Sequence, residues 1–497
     1  MKITAKKEDV LKKKTDILVA ALIDGKIHRG SLLEQVDKAL GGEVTKIITD
    51  EKIKGTPAQA KLLYTYGRLA SKYVLILGLG DKKKVTLDVV RQCGATLQCV
   101  AKQVNAESIL AEIIGAEQKV AASEDCAQAL CEGFLLNAYS FDRYKKEKDD
   151  ATKPALKDLT LLCNESSKLP KITKAVATAE LLAEGVNLAR DMINTPAADM
   201  TPATLAKTAQ GLKGIKSKIH DVAAIEKLKM GSFLSVGLGS TQNPPYFIEM
   251  HYTPKGKAKK TVALVGKGVT FDSGGYSIKP AKSMETMKDD MSGAAAVIAL
   301  MSILPRLAPD VAVSGYVAAT ENMVDGFAQR PGDICTAMDG TTIEVLNTDA
   351  EGRLTLADAI LYARQAKPDY LIDMATLTGA CLVSLGLLYS GVMGNDDALI
   401  KKIIGCGKDV GENFWHLPLP EEYKEELKSP IADLKNIGGS FGGTLTAGLF
   451  LQHFVGDTKW VHIDIAGPAW TDKPLPYTPR GGTGVMVRTL AHFLQGF

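Results

Sequence analysis

Residues 347–354 read Asn-Thr-Asp-Ala-Glu-Gly-Arg-Leu, and this stretch predicts both a fold and a site. It holds two carboxylates, Asp349 and Glu351, followed by a guanidinium, Arg353. A strand-like run precedes it and a helix-like run follows. Ligands of α/β sheets bind at such turns, beyond the carboxyl ends of strands. Two acidic groups packed there repel each other unless a cation lies between them, so the stretch predicts a metal site.

A second segment, upstream, extends this prediction. An apolar strand-like run is followed by Lys267 between two glycines, and then by Asp272, Lys279, Asp289 and Asp290. Carboxylates are hard oxygen ligands, and a lysine is a cation or, when neutral, a nitrogen ligand. Glycines among these residues allow the backbone to approach a ligand closely. The carboxylates, lysines and arginine together, all beside predicted strand ends, indicate a two-metal hydrolytic centre.

The two segments resemble the leucyl aminopeptidase family, the dinuclear-zinc cytosol aminopeptidases. Residues 347–354 are similar to the family's signature, and 265–280 and 287–297 match its other metal-binding segments. The resemblance is dense from 265 to 488 and much weaker before residue 160. Further similar stretches are Ala375-Thr-Leu-Thr-Gly-Ala-Cys381, Asn395-Asp396 and Asp464-Ile-Ala-Gly467.

The resemblance implies a set of metal ligands. Glu351 and Asp272 are expected to bridge two divalent ions. Asp349 is expected to bind one ion, and Asp290 and Lys267 the other. A lysine binds metal only as the neutral amine, so its pKa must fall far below ~10.4 through burial and a nearby dication. The alternatives are a structural ion pair for the lysine, and a helix N-terminus that attracts Asp349 and Glu351.

The neighbouring Asp289 leaves a one-residue alternative for one ligand. The family's ligand stands directly before a methionine, Met291 here, which favours Asp290. No histidine shows HExxH or paired spacing, and an oxygen-rich set suits Mn²⁺ or Zn²⁺, with Mg²⁺ competing. Nucleotide binding is not indicated, because the glycine pairs at 78 and 80 and at 266 and 268 lack the third glycine and the helix of a dinucleotide turn.

Two further charged residues are expected to act on the substrate. By the resemblance, Lys279 stays protonated and stabilises the oxyanion of the tetrahedral intermediate, the alternative being an exposed loop lysine. Arg353 has donors suited to a planar anion. In the family this arginine holds a bicarbonate that serves as general base, and the alternative is a helix-cap salt bridge. The resemblance also implies a pocket lined by Met287, Thr376, Gly379 and Ala469.

The expected activity is that of a metalloaminopeptidase. Two ions would lower the pKa of a bridging water, and one would bind the free α-amine, which restricts cleavage to the N-terminal residue of a peptide. The small or apolar pocket suits Leu or Met. The family forms hexamers, so a homohexamer is expected. A DNA-binding role, which some bacterial relatives have, and a catalytically dead homologue are the alternatives. No basic stripe supports the first, and the intact ligand set argues against the second.

Composition agrees with this expectation. The chain has 497 residues, enough for two domains, with 45% hydrophobic and 24% charged residues and a net charge of +3. This balance demands neither nucleic acid nor a membrane, and no unbroken apolar run reaches the ~18 residues of a spanning helix. Acidic residues interrupt the lysine-rich N-terminus, which argues against a signal peptide. The eight cysteines show no CxxC pair and predict reduced thiols in a cytoplasmic protein.

Alternating patterns predict an α/β fold, with a mixed sheet sandwiched by helices in a C-terminal domain and a smaller α/β N-terminal domain. The expected limits are 1–165 for the N-terminal domain (assembly and gating), 166–195 for a linker helix and 196–497 for the dinuclear-metal peptidase domain. Predicted N-terminal strands are 17–23 (the first buried strand), 44–48, 62–66, 73–77 and 159–163, with helices at 31–40, 87–103 and 122–138. Predicted C-terminal strands are 246–251, 261–265, 312–318, 370–374 and 460–465, with helices near 294–304, 354–366, 446–454 and 486–494. Loops are predicted at 143–157 and, near the site, at 438–443.

Overall fold

Two compact units make up the protein. The computed structural model describes residues 1–146 and 156–497. The first unit comprises Met1–Ala183 with Lys473–Pro479, and the second comprises Glu184–Asp472 with Arg480–Phe497. Each unit contains a sheet packed against helices, which confirms the predicted α/β fold class. Of the predicted loop at 143–157, residues 147–155 lie outside the described residues.

The first unit is built on a doubly covered sheet. Its strands are β1 (Lys2–Lys6), β2 (Thr15–Ile23), β3 (Ala60–Tyr64), β4 (Ser71–Gly80), β5 (Ser108–Glu112) and β6 (Asp158–Leu162), and its helices are α1 (Leu32–Ala39), α2 (Glu43–Asp50), α3 (Leu87–Gln103) and α4 (Ser123–Asn137). The strand order is β1-β6-β5-β2-β4-β3, and the pairs are parallel except β3 with β4.

Strand β2 explains why this sheet has helices on both faces. Successive side chains of a strand point to opposite faces, and nearly every residue of β2 is buried. Ile17 and Val19 lie in a cluster with side chains of α3 and α4. Leu18 and Leu22 lie in a second cluster with side chains of α1 and α2. A continuous apolar run of this kind is typical of a central parallel strand.

The predicted strand at 44–48 is wrong, because helix α2 occupies these residues. Val44, Ile47 and Ile48 follow the i, i+3, i+4 spacing of one helix face and pack against the cluster beside α1. Strand β1 was not predicted, but only Ile3 of its five residues is buried, so 17–23 lies in the first buried strand, as predicted. Strand β5 carries only five residues and was not predicted.

A long helix, α5 (Leu169–Asn194), covers most of the segment predicted as a linker helix. A 3-10 turn, Ser166–Lys168, precedes it. The helix ends just before Thr195 and Pro196, as the sequence predicts. The division between the two units falls within it, between Ala183 and Glu184.

The second unit contains a large mixed sheet. Its strands are β7 (Lys216–His220), β8 (Tyr246–Tyr252), β9 (Lys260–Asp272), β10 (Val311–Asn322), β13 (Tyr370–Ala375), β14 (Tyr389–Gly394), β15 (Asn413–His416) and β17 (Trp460–Asp464), in the order β15-β14-β17-β13-β9-β10-β8-β7. Smaller sheets are formed by β11 (Asp333–Thr336), β12 (Thr342–Val345) and β16 (Leu434–Lys435), and by β18 (Trp470–Thr471) and β19 (Gly481–Gly482). In the large sheet β9 pairs in parallel with β10 and β13, so their carboxyl ends meet at one edge.

Helices cover this sheet as well. They are α6 (Pro202–Gln210), α7 (Val222–Lys227), α8 (Gly231–Gly237), α9 (Ala281–Met284), α10 (Ser292–Leu307), α11 (Gly352–Gln365), α12 (Gly379–Leu385), α13 (Asp397–Val410), α14 (Gly443–Val455) and α15 (Val487–Gln495), with 3-10 turns at Met287–Asp289 and Glu421–Leu427. Side chains of α8, α11 and α14 form one apolar cluster with residues of β9, β13 and β17. The helices predicted near 294–304, 354–366, 446–454 and 486–494 correspond to α10, α11, α14 and α15.

The structure shows the surroundings of the long apolar helical stretch and of the cysteines. Among the described residues, one helical stretch, Ala281–Leu307, is long and apolar enough to span a membrane, but 78% of its apolar window is buried inside the protein. It therefore has the burial of a core helix. All eight cysteines are free thiols, and Cys99 alone among them is exposed.

Candidate metal centre

The stretch at 347–354 forms the predicted strand-to-helix turn. It leaves the carboxyl end of β12 and enters α11, whose N-cap is Glu351. Within the turn Asp349 N donates to Asn347 Oδ1 at 2.8 Å. The local backbone thus presents both acids of the stretch at the start of a helix.

The upstream segment differs in one respect from its prediction. Strand β9 does not end at Val265 but continues through Lys267 to Asp272, because residues 266–269 keep their pairing with β10. A glycine before and after Lys267 does not interrupt the ladder. As a result the lysine lies inside the sheet, and Asp272 lies at the strand's carboxyl end.

Three buried carboxylates converge on one point. Asp272, Asp290 and Glu351 each offer an oxygen, and these three oxygens lie within 4.8 Å of one another. They come from the end of β9, from the residue after the turn Met287–Asp289, and from the N-cap of α11. Asp289, the alternative to Asp290, does not join this cluster, and burial raises its pKa to about 7.

The donor set of this cluster fits a divalent cation. Among the described residues, Asp290 Oδ2 and Glu351 Oε2 are buried and have no hydrogen-bond partner, and the contact printed for Glu351 Oε1 is the ion pair with Lys267. Burial raises the pKa of Asp290 well above its usual range, and burial together with the Glu351 charge raises the pKa of Asp272. Crowded, buried carboxylates of this kind need a positive charge between them, and oxygen donors suit Mn²⁺ and other hard or borderline ions.

Lys267 lies against two of the three acids. Its Nζ is 2.8 Å from Asp290 Oδ1 and 2.7 Å from Glu351 Oε1, and it donates to the carbonyl of Thr376 at 3.0 Å. Burial opposes its charge, but the surrounding carboxylates outweigh burial and raise the pKa of Lys267. The predicted fall of this pKa requires a dication, so it stays a prediction. Gly352 makes the approach possible, because a Cβ there would lie 2.7 Å from Lys267 Nζ.

Lys279 and Asp349 lie beside the cluster. Lys279 Nζ is 2.9 Å from Asp272 Oδ2 and 2.6 Å from Asp349 Oδ1. Burial opposes the charge of Lys279, but Asp272 and Glu351 outweigh burial and raise its pKa, so it is an ammonium ion at neutral pH. Asp349 is not one of the three converging carboxylates. The positive φ of Gly274 (85°) lets the backbone turn beside Asp349, since a Cβ there would lie 2.8 Å from Asp349 Oδ1.

Arg353 is buried and stays charged. Its Nη1 donates to the carbonyl of Asn436 at 2.8 Å, whereas its Nε has no hydrogen-bond partner in the part of the chain that the structure describes. Burial lowers the pKa of Arg353 to about 10, against the opposing effect of Glu351 and Asp464. A buried guanidinium with an unused donor is suited to an anion.

The residues of the predicted pocket occupy different environments. Met287 lies in the turn before the acid cluster and is partly buried. The hydroxyl of Thr376 donates to Asp290 Oδ1 at 2.7 Å, so this residue contacts the acids directly. Gly379 begins helix α12 and is exposed, and Ala469 is fully buried. Their joint role as a pocket stays a prediction.

Sequence reasoning missed two asparagines at this site. Asn322 ends β10 after a register shift, and its Nδ2 donates to Asp272 Oδ1 at 2.8 Å and to the carbonyl of Thr348 at 2.9 Å. Its position after a buried strand is the same signal that indicated Asp272. Asn436 follows the two-residue strand β16, and no pattern in the sequence marks it.

Comparison with known proteins gives a consistent result over nearly the whole chain. Residues 187–491 match the model of the cytosol aminopeptidase family, catalytic domain, and residues 20–148 match that family's N-terminal domain. A probable cytosol aminopeptidase of Persephonella marina is 44% identical over 93% of both chains. One from Geobacter sp. (strain M21) is 41% identical over the full length of both.

Solved structures show the same likeness. A tomato leucine aminopeptidase mutant is 35% identical, with a TM-score of 0.88 over 100% of this chain and 96% of the other. The bottromycin maturation enzyme BotP in complex with Mn is 32% identical, with a TM-score of 0.85 over 97% of this chain and 99% of the other.

Proposed function

This chain belongs to the cytosol aminopeptidase family and is a metalloaminopeptidase, and from that premise we propose that it removes N-terminal Leu and other apolar residues from peptides at a two-metal centre. The observation that carries the proposal is the convergence of three buried carboxylates, Asp272, Asp290 and Glu351. Asp290 and Glu351 each have an oxygen that lacks a hydrogen-bond partner among the described residues. The family supports the type of reaction, and this cluster supports the proposed place of the reaction in the chain.

The proposed ligands are Asp272 and Glu351 between two ions, Asp349 on one ion, and Asp290 with Lys267 on the other. Mn²⁺ or Zn²⁺ is the proposed metal, and the Mn complex of BotP supports the first. When bound, the ions would supply Lewis acidity that activates the attacking water and polarises the scissile carbonyl. The requirement for a free α-amine follows, because that amine is the substrate's own ligand.

Two cationic side chains complete the proposed chemistry. Lys279, fixed between Asp272 and Asp349, holds an ammonium ion where negative charge develops on the substrate oxygen. Arg353 would hold a bicarbonate, and this anion would supply a general base for the attacking water and an acid for the leaving amine. The unused Nε of Arg353 supports the second role.

The substrate pocket, the assembly and the location complete the proposal. Met287, Thr376, Gly379 and Ala469 would line a pocket whose small and apolar surfaces suit Leu. The enzyme would act as a homohexamer in the cytoplasm. The names of its cytosol aminopeptidase relatives support the proposed location. Light scattering after size-exclusion chromatography tests the assembly.

Hydrolysis of leucine p-nitroanilide tests the function. We expect EDTA to abolish hydrolysis, Mn²⁺ or Zn²⁺ to restore it, and Glu351→Ala to stay inactive with either ion. N-acetyl-leucine p-nitroanilide, which lacks a free amine, is expected to resist cleavage. A protein that binds two ions per chain but hydrolyses neither substrate with any metal would contradict the proposal.

A further inference from the structure

Asn436 is fully buried, and its side-chain amide contacts the turn at 347–354. The residue lies 89 positions after Asn347 in the sequence. It directly follows β16, which pairs in parallel with β12, and its own N–H donates to the carbonyl of Glu344 at 2.9 Å. The backbone of Asn436 therefore continues the ladder that leads into the turn.

Beyond the end of this ladder, the side chain of Asn436 supplies the hydrogen bonds to the backbone that follows β12. Its Oδ1 accepts from the N–H groups of Leu346 and Asn347, at 2.9 and 3.3 Å. Its Nδ2 donates to the carbonyls of Asn347 and Ala350, at 2.7 and 3.4 Å. One amide thus meets two donors and two acceptors of the turn that carries Asp349 and Glu351.

The carbonyl of the same residue holds the guanidinium. Arg353 Nη1 donates to Asn436 O at 2.8 Å, and Arg353 follows Glu351 by two residues at the start of α11. A single residue therefore connects the turn with the proposed metal ligands to the proposed anion-binding arginine.

We propose that Asn436 is a positioning residue, which sets the distance and orientation of the Arg353 guanidinium relative to Asp349 and Glu351. The inference rests on the roles proposed for those three residues. Asn436 is not one of the proposed metal ligands, and it would act through the turn and through Arg353. An aspartate at this position would keep the size and the acceptor but lose both donated hydrogen bonds and add a negative charge among carbonyl oxygens.

Asn436→Asp, assayed at saturating Mn²⁺, gives the first measurement. We expect kcat for leucine p-nitroanilide to fall about 10- to 100-fold, with KM and the Mn content per chain unchanged, since misplacement of a reacting group lowers turnover first. Asn395→Asp is the matched control. Its amide also joins two backbone groups of the second unit, Thr458 O and Trp460 N, at 2.9 and 2.7 Å, and kcat should stay within about twofold of the parent.

A double-mutant cycle with Arg353→Lys separates positioning from general weakening of the fold. If Asn436 acts through the arginine, Asn436→Asp in the Arg353→Lys background should lower kcat by no more than about twofold further. An equal loss in both backgrounds, or a loss that appears only as missing Mn, would overturn the inference. Should Asn436→Asp not fold, Asn436→Ser serves in the same cycle.

The parent enzyme and Glu351→Ala are assayed beside these variants. A parent with metal-dependent activity that Glu351→Ala abolishes upholds the proposed function, and an unaffected Asn436→Asp would then overturn the positioning role alone. An inactive parent would overturn the proposed function first.

Discussion

Each unit buries a carboxylate at the carboxyl end of a parallel strand. Glu112 is the last residue of β5 and Asp272 is the last residue of β9, and the two side chains have opposite surroundings. Glu112 accepts from Ala21 N at 3.0 Å and from Gln118 Nε2 at 3.2 Å, and burial raises its pKa to about 8. It is mostly neutral near pH 7 and behaves as a polar core residue. Asp272 instead lies within a cluster of acids with lysines beside it.

The difference shows that a buried acid at a strand end does not by itself make a site. A buried acid without a close cluster of other acids avoids the free-energy cost of a buried charge by taking up a proton. Three acids within 4.8 Å, some of whose oxygens lack a hydrogen-bond partner, indicate a cation instead. Glu112 has one acidic neighbour that raises its pKa, Glu117, whereas Asp272 converges with two buried carboxylates. The number and closeness of the neighbouring acids, rather than the position in the sheet, distinguish the two regions.

Matched amide substitutions test this contrast most strongly. Asp272→Asn should lower kcat/KM for leucine p-nitroanilide about 10³-fold or more and reduce the Mn content, because it removes a carboxylate shared by the proposed ions. Glu112→Gln, an equally conservative change at the other strand end, should leave both unchanged. Equal losses in the two variants would refute the contrast.

The next effect in size concerns Lys279, the cation between Asp272 and Asp349. Lys279→Met keeps the stem of the side chain and removes its charge. We expect kcat to fall about 10²-fold with the metal content retained, since the charge that is proposed to stabilise the transition state is lost. The number of metal ions per chain, measured by elemental analysis, checks this prediction. A variant that loses metal would contradict it and would assign Lys279 a role in metal retention.

A smaller effect is expected where the lysine inside the sheet approaches α11. In Gly352→Ala the added Cβ would lie 2.7 Å from Lys267 Nζ, so the lysine must move away from Glu351. Overpacking should lower the stability of the fold by about 1–3 kcal/mol, and displacement of Lys267 should lower the activity by about 10-fold or more. Gly405→Ala, in helix α13, meets no atom within 4 Å and should keep full activity.

The last prediction concerns stability rather than turnover and belongs to the first unit. Because the pKa of Glu112 is raised to about 8 in the folded protein, the folded state favours the protonated form. The protonated Glu112 carboxyl therefore adds on the order of a few kcal/mol to the free energy of unfolding. This contribution is fully present below pH ~4.5 and is lost as the pH rises toward 8. Melting temperatures from pH 5 to 9 should therefore fall more steeply for the parent than for Glu112→Gln. Parallel curves would exclude this titration.

Sequence reasoning succeeded where the relevant contacts are close along the chain. Residues 347–354 carry their own strand end, turn and helix start, so the turn holding Glu351 and Arg353 could be predicted from local pattern. The run in β2 likewise reports burial on both faces. The spacing of Val44, Ile47 and Ile48 also indicated a helix, but the β-branched residues favoured a strand, which is wrong here.

Contacts between distant segments could not be predicted in this way. Asn436 has no role until β16 pairs with β12, and two residues of strand give no periodicity. The continuation of β9 to Asp272 depends on its pairing with β10, which local composition does not reveal. The ligand roles and the pocket came from family resemblance, and they await the experiments above.

Buried cysteines lie in both units, so their reaction with a thiol reagent can report the unfolding of each unit. Cys93, Cys126 and Cys131 are buried in the first unit and Cys381 in the second, and burial raises the pKa of each thiol. Alkylation requires a thiolate and access, so each of these cysteines reacts only when its surroundings open. The exposed Cys99 supplies the unprotected reference rate within the same chain. Mass-spectrometric labelling would thus time the opening of each unit separately, without any introduced probe.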